Sequence, residues 1–448
     1  MRLFLVGAGH VGLVTAVGMA RLGHELVVSD IDAGRVERLQ AGETPIFEPG
    51  LRDALLELSP RLTFTTDPRP PAGISFSFVV VSTPTDADGP LSLRNVRAAV
   101  AGLLAATDAS HTIVVRSTLP LGGPAALAEL RAGRTDQAAL VTNPEFMREG
   151  SALRDFAQPG RLVTGWVEAR DEPHARAVMS LYDGIDAERL VADARSVALI
   201  KLASNVFLAM KVGYANELAR LSEAIGADVR TVADGIGLDP RIGRAFLDAG
   251  PGFGGSCLPE QATALALESV RAAVAAPIIA AVEQSNERHQ TAIVERLGRL
   301  LGGSVRGSRV AVLGLAFKAN TDDVRESPAL AIIRFLRDAG ASAVGTDPHA
   351  IRHARIADPA LETAVDLGAA ATGADAIVIA TEWPEYRTLD WRLIATAMRG
   401  DLVFDTRSVA DPSAVAAAGL RLVALGRPDD RFVAAPERTP VAVARAAP

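Results

Sequence analysis

The sequence predicts an α/β chain of two doubly wound parallel-sheet units joined by a long central helix. Short apolar runs recur towards both ends of the chain and stop at small polar residues, as buried parallel strands do. A glycine-rich turn joins the first such run to an apolar helix. Between the two ends lies a helical pattern from Ser196 to Gly226 that carries no proline.

With 448 residues the chain is long enough for two or three domains, and a hydrophobic content of 49% can fill their cores. A net charge of −7, with basic residues dispersed, argues against a nucleic-acid partner. A single cysteine excludes an internal disulfide and suits a reducing cytoplasm. The opening MRLFLVGAG is too short an apolar run for a signal peptide and passes straight into the glycine turn. No charge-free apolar run reaches about 18 residues, so no membrane span is expected.

Leu3 to Val6 reads as a strand, Gly7-Ala8-Gly9-His10-Val11-Gly12 as the turn, and the residues through Leu22 as a helix. A second strand, Leu26 to Ser29, ends at Asp30. This is a dinucleotide fingerprint in a βαβ setting, which makes the first unit Rossmann-like. Gly7 makes the tight turn, Gly9 lets the backbone approach a pyrophosphate, and Gly12 lets the helix pack on the strand. Asp30 is placed to hold ribose hydroxyls and would repel a 2′-phosphate, so NAD is favoured over NADP.

Three later strands, Phe76 to Val81, Thr112 to Val115 and Ala139 to Thr142, end in Ser82-Thr83-Pro84-Thr85, Arg116-Ser117-Thr118 and Asn143-Pro144-Glu145. Any one of these ends could be a helix cap. Three in succession favour a shared cleft at the carboxyl ends of the strands. On the long helix, Lys201 and Asn205 are spaced i and i+4 and share a face, which fits a solvated stripe as well as a site.

The lone cysteine, Cys257, closes the segment Gly250-Pro251-Gly252-Phe253-Gly254-Gly255-Ser256 and precedes a helical run from Pro259 to Val270. A lone cysteine is commonly a small core hydrophobe. At a helix N-terminus its pKa is expected to be lowered, which makes it a candidate nucleophile. A second α/β unit begins near Val305, with strands at 310–313, ending near Asp347, at 375–380 and at 401–405. Its first loop, 314–327, carries Lys318 and Arg325 but no glycine fingerprint, and Arg407 stands just beyond a later strand.

Several segments together resemble the UDP-glucose 6-dehydrogenase family of nucleotide-sugar dehydrogenases. They are PIFEPGL (45–51), VVVSTPT (79–85), NPEFMREGSALRDF (143–156), IKLASNVFLAMK (200–211), GLDPRIGRAFLDAGPGFGGSCLP (237–259), LGLAFKANTDDVRESPAL (313–330) and TEWPEY (381–386). The resemblance implies two Rossmann-like domains, a homodimer formed through the central helix, and oxidation of a sugar C6 alcohol to a carboxylate by two NAD. With the residue pattern it divides the chain into a domain at 1–195 for NAD, a helical dimerisation segment at 196–300 and a nucleotide-sugar domain at 301–426. Beyond these the chain is rich in Pro, Ala and Arg without periodicity, and 427–448 reads as a mostly disordered tail.

The resemblance also implies roles. Cys257 would form a thiohemiacetal and then a thioester, Glu145 would assist the hydrolytic water, and Thr118 would position a water. Lys201 and Asn205 would hold substrate and oxyanion. Phe146, Phe253, Gly254, Gly255, Lys318 and Arg407 would contact the nucleotide sugar, and Arg241 would reach into the partner's site. His10, Val11, Thr83, Thr118, Glu149 and Arg325 would line the NAD cleft. No metal is expected.

The sequence departs from the family pattern after the nucleophile. Cys257-Leu258-Pro259-Glu260-Gln261 stands where Cys-Phe-Pro-Lys-Asp is usual. Glu260 reverses a charge, and Gln261 removes a carboxylate that could accept a proton. Arg116 and Ala198 also stand where Lys and Glu are common. An ordinary four-electron enzyme, one retuned to another sugar or a partly oxidised product, and a low-turnover binding protein are the readings left open.

Overall fold

The computed structural model describes residues 1–84, 91–131 and 136–427. Thr85 of the VVVSTPT segment, and the expected tail beyond Arg427, lie outside the described residues.

Two sheets carry the fold. The first comprises β1 (Arg2–Val6), β2 (Glu25–Ser29), β3 (Leu62–Thr65), β4 (Phe76–Val79), β5 (Thr112–Val115), β6 (Ala139–Thr142), β7 (Arg161–Trp166) and β8 (Glu188–Asp193). Their order is β3-β2-β1-β4-β5-β6-β7-β8, so the strand order reverses between β1 and β4. All pairs are parallel except β6 with β7, where Val141 lies opposite Trp166. Leu3, Phe4, Leu5, Phe78, Ile113, Val114, Leu140 and Val141 are fully buried, because helices cover both faces of the sheet.

The second sheet comprises β9 (Arg309–Leu313), β10 (Ser342–Thr346), β11 (Glu362–Thr363), β12 (Ala376–Ile379), β13 (Leu402–Asp405) and β14 (Arg421–Ala424). It is wholly parallel, in the order β11-β10-β9-β12-β13-β14. The predicted strand Phe76 to Val81 is shorter than expected: it ends at Val79, with one further bond from the Val80 N–H to the Val6 carbonyl. Sequence reading had no signal for β7 and β8, which extend the first sheet beyond its parallel part.

The central helix runs Ala194–Ile225, capped by Asp193 through the N–H groups of Arg195 and Ser196 and closed by Gly226 in the left-handed region. By length and composition it is apolar enough to cross a bilayer. In the fold it packs against β7 and against two further helices, Cys257–Arg271 and Pro277–Leu300. The connection is therefore a bundle around one long helix rather than a single rod. Leu202, Val206 and Ala209 of the long helix, with Phe253, Ala262, Leu265 and Val282, form a small core beneath the cysteine.

Candidate active site

The glycine turn sits at the switch point between β1 and β4. Gly7 has φ +110°, and a Cβ there would lie 2.2 Å from the Val80 carbonyl oxygen. A Cβ on Gly12 would lie 2.0 Å from the Gly7 oxygen. At Gly9 it would meet nothing within 4 Å, so the backbone there faces open space. The first main-chain bond of the helix His10–Arg21 runs from Leu13 to Gly9, leaving the N–H groups of His10, Val11 and Gly12 to face an anion. Asp30 is buried and its two oxygens accept from the N–H groups of Ala8 (2.7 Å) and Asp32 (2.9 Å). Arg35 shares the same carboxylate at 3.1 Å. One oxygen keeps acceptor capacity for a ribose hydroxyl. The turn and acid together fit a dinucleotide.

Glu48 braces this turn, and sequence reading gave it no role. Its carboxylate meets His10 Nε2 (2.7 Å) and accepts from the N–H groups of Gly150 (2.7 Å) and Ala152 (2.8 Å). Burial alone would lower the His10 pKa, but Glu48, Glu149 and Glu145 outweigh it and raise the imidazole above its usual value. The only sequence signal was an acid fixed between proline and phenylalanine in PIFEPGL.

Cys257 is the first residue of the helix Cys257–Arg271, which begins earlier than the predicted Pro259. Ser256 is already helical, and Pro259 is tolerated in the first turn, where its missing N–H would have no helical partner. Gly255 has φ +77° and donates to the Arg325 carbonyl at 2.9 Å. A Cβ on Gly254 would lie 2.3 Å from the Glu326 carbonyl oxygen. Phe253 is buried and both its main-chain groups bond the side-chain amide of Asn286. The loop is thus pinned to the second unit and to the helix Pro277–Leu300.

The thiol does not follow the expected lowering. Its surface opens to the cleft, yet surrounding protein desolvates it, and that burial pushes the Cys257 pKa up. Lys201 pulls it down, while Glu145 and Glu149 push it up. The helix start was located correctly to within a turn, but burial and two carboxylates outweigh it.

Lys201 is buried rather than part of a solvated stripe. Its Nζ donates to the Glu145 main-chain oxygen (2.6 Å) and to Glu145 Oε1 (2.9 Å). An ammonium has three N–H donors, so one is left for a ligand. Burial alone would raise the Glu145 carboxyl, but Lys201, the Met147 N–H and Arg116 outweigh it and hold it below the usual range. One turn along, Asn205 Nδ2 donates to Gln261 Oε1 at 2.9 Å, leaving its second N–H. Phe146 stacks under Arg161 at 3.9 Å and lies 5.3 Å from Lys201 Nζ.

Gln261 is buried at the Asn205 side, whereas Glu260 faces Arg325, Asp323 and Glu326 and is raised by burial. Adjacent residues on a helix point about 100° apart, so Glu260 does not fill the place of the usual Asp.

The second unit closes the cleft. Arg407 donates to the carbonyls of Ala380 (2.9 Å) and Phe317 (3.1 Å) and ion-pairs with Glu382 at 3.1 Å. A Cβ on Gly250 would lie 3.1 Å from its guanidinium. Lys318 is half-buried and desolvation lowers its pKa against the pull of Glu149 and Glu382. Arg325 is held by Asp323 and reaches Glu149 at 3.4 Å, and Thr321 also donates to Glu149. Burial and Asp323 raise the Glu149 carboxyl.

Cys257, Lys201, Glu145, Asn205 and Phe146 therefore converge with Glu149, Arg325, Lys318 and Arg407 along one cleft between the sheets. Thr83 and Thr118 lie in the loops beyond β4 and β5, and their side chains make no hydrogen bond among the described residues. Arg241 does not join the cleft of its own chain: it is exposed and bonded to Asp239.

Comparison with known proteins supplies the family. Residues 1–186 match the NAD binding domain, 195–288 the central domain and 311–412 the UDP binding domain of the UDP-glucose/GDP-mannose dehydrogenase family. A UDP-glucose 6-dehydrogenase of Rhizobium meliloti is 41% identical over 96% of this chain and 100% of its own length. One from Bacillus subtilis is 37% identical over 95% of this chain and 93% of its own. The structure of a UDP-glucose dehydrogenase from Pyrobaculum islandicum superposes with a TM-score of 0.82 at 39% identity, covering 92% of this chain and 95% of that one. With a fingerprint turn, a pinned cysteine loop and matches to all three domains, the chain belongs to the UDP-glucose/GDP-mannose dehydrogenase family.

Proposed function

We propose that the protein oxidises the C6 alcohol of UDP-glucose to the carboxylate, giving UDP-glucuronate, in two NAD-dependent steps at one cleft. The observation that carries the reading is the Asn205–Gln261 hydrogen bond, which sets the helix begun by Cys257 against the helix that carries Lys201 and its partner Glu145. NAD, when bound at the Gly7–Gly12 turn and Asp30, supplies the oxidising power by taking up the hydride. The remaining work falls to this chain.

Lys201 Nζ and Asn205 Nδ2 each keep one donor, spaced by a helical turn. They would stabilise negative charge on the C6 oxygen at both oxidations. The Cys257 thiol adds to the C6 aldehyde and its proton goes to the hydroxyl of the resulting thiohemiacetal. Loss of that hydroxyl proton and of the C6 hydride leaves a thioester. Water then adds to the thioester carbon, the C–S bond breaks, and the acid and the thiol are released. Glu145, held ionised by Lys201, is the carboxylate placed to take the water's proton. Thr118, in the loop just beyond β5, would position that water. Gly254, Gly255 and Phe253 would wrap the diphosphate and sugar, with Lys318 and Arg407 on the nucleotide side.

Leu199, Phe207, Tyr214, Leu221 and Ile225 form an exposed apolar stripe on the central helix. That stripe supports a homodimer, with Arg241 offered to the partner's cleft. A free thiol as nucleophile suits a cytoplasmic setting.

A second reading rests on Gln261. Its neutral amide is committed to Asn205, so no carboxylate assists there, and the reaction would stop at the aldehyde. Counting cofactor reduced per UDP-glucose consumed, with the product identified by mass, separates the two. Two equivalents and a uronate, with Cys257→Ser yielding no acid, support the four-electron route. One equivalent and an aldehyde support the second reading, and no reduction with UDP-glucose overturns both.

A further inference from the structure

A cavity of about 400 Å³ lies where the second half of the central helix, the helix Pro277–Leu300 and the chain after β14 meet. Its charged lining is Arg220, Glu223, His289, Arg296, Arg299 and Arg427, set against alanine, isoleucine and leucine walls. This volume lies in the usual range for small-molecule sites, roughly 300–1,000 Å³. Four guanidiniums face one carboxylate. Glu217 and Asp228 approach Arg220 and Arg427 at 3.9 and 3.5 Å, and even with them the cations outnumber the anions.

The arginines differ in how they are occupied. Arg296 is built into the fold by Glu223, the carbonyls of Ala424 and Arg427, and the Phe404 ring. Arg299 makes no side-chain hydrogen bond or ion pair among the described residues. Arg427 Nε is buried and has no hydrogen bond, only the longer pairing with Asp228. Arg220 Nη1 donates to His289 Nδ1 at 2.6 Å and to the Asn216 carbonyl at 3.5 Å, while its other nitrogens keep donors to spare.

His289 connects the cavity to the cleft. An arginine can only donate, so Nδ1 accepts and Nε2 carries the hydrogen, which it gives to the Gly250 carbonyl at 2.8 Å. The ring is 1% exposed, and burial with the charge of Arg220 pushes its pKa down to about 4, so it stays neutral. Gly250 opens the loop that carries Phe253, Gly254, Gly255 and Cys257, and it abuts Arg407. On the other wall, Phe404 under Arg296 lies on β13, the strand that leads into Arg407.

We infer that this cavity binds a small phosphate-bearing anion through Arg220, Arg299 and Arg427, and that its occupancy is felt through His289 and Gly250 at the nucleotide-sugar side of the cleft. Guanidinium forks match phosphate oxygens in pairs, and three with unused donors suit a dianion better than a single carboxylate. The apolar walls leave room for the organic part of a phosphorylated metabolite.

Inorganic pyrophosphate is the probe. The full chain, saturated with UDP and NADH so that the cleft is filled, is titrated by calorimetry. One pyrophosphate per chain is expected, with affinity falling as salt rises. Arg299→Glu, at an exposed position outside the cleft, should weaken binding at least tenfold and leave kcat and KM without pyrophosphate unchanged. Arg299→Lys should keep most of the affinity. Pyrophosphate should shift KM for the nucleotide sugar more than kcat in the native chain and not in Arg299→Glu. No heat in the native chain, equal affinity in Arg299→Glu, or binding abolished by UDP would each overturn the assignment. These outcomes do not depend on whether UDP-glucose is the substrate, because binding is read without turnover.

Discussion

Lys201→Met tests the electrostatics of the cleft most directly. The lysine and its partner Glu145 have side chains only 3% and 9% exposed, so the pair belongs to the buried regime. Exposed pairs are worth about 0–1 kcal/mol, but removing one member of a buried pair costs about 3–5 kcal/mol. Methionine keeps the length and apolar character of the stem, so lost packing contributes little. What is lost is both hydrogen bonds of Nζ, at 2.6 and 2.9 Å, together with the charge that holds Glu145 ionised.

The pH dependence has a definite sign. In the native chain the folded Glu145 pKa is depressed. Its contribution is present in full above the ordinary carboxylate range and is lost as pH falls through the folded value. In Lys201→Met burial dominates, the folded value rises above the unfolded one, and the variant regains stability as pH falls through that raised value. Urea unfolding followed by circular dichroism at about pH 8 and about pH 5 should show a smaller deficit at the lower pH. Glu145→Gln with Lys201→Met should recover about 2 kcal/mol or more of the single variant's loss at the higher pH. A deficit in Lys201→Met below about 1 kcal/mol at the higher pH, or a double variant no better than the single one, would show that solvent already screens the pair.

Two further outcomes follow from the same geometry. Gln261→Asp should raise kcat at neutral pH by about tenfold or more and add a group to the acid limb of the pH profile. Steady-state rates unchanged in size and in pH dependence would show that position 261 does not limit the chemistry. Alkylation of Cys257 by iodoacetamide should accelerate through and above the ordinary thiol range, because burial raises its pKa. Lys201→Met should push that profile higher still, and a profile centred well below the ordinary range would refute the electrostatic account.

The fold was legible wherever a local rule sets the backbone. The Gly7–Gly12 turn, the strand ends and the central helix are fixed by close approach, burial and capping, all of which act on neighbouring residues. Convergence was less legible. Glu48 reaches His10, Gly150 and Ala152 across the chain, and Asn286 and His289 hold Phe253 and Gly250 from a different helix. No spacing rule connects such partners. The Cys257 pKa was misjudged for a related reason. A helix N-terminus is a local feature, but desolvation and the fields of Glu145 and Glu149 come from the assembled cleft.

The anchoring of the cysteine loop also has a mechanical meaning. Gly255 is bonded to Arg325, and Gly150 approaches Asn320 so closely that a Cβ would lie 2.8 Å from its carbonyl oxygen. The Cys257 segment is therefore tied at Gly255 to the second unit, and through the helix Cys257–Arg271 to the central helix that carries Lys201. A rotation of one sheet against the other would pull on both ties at once and change the aim of the thiol relative to Lys201. A small molecule wedged at the Gly150–Asn320 seam would disturb Glu48, which braces the glycine turn, as well as the Cys257 segment, so its inhibition would appear in KM for the cofactor as well as in kcat.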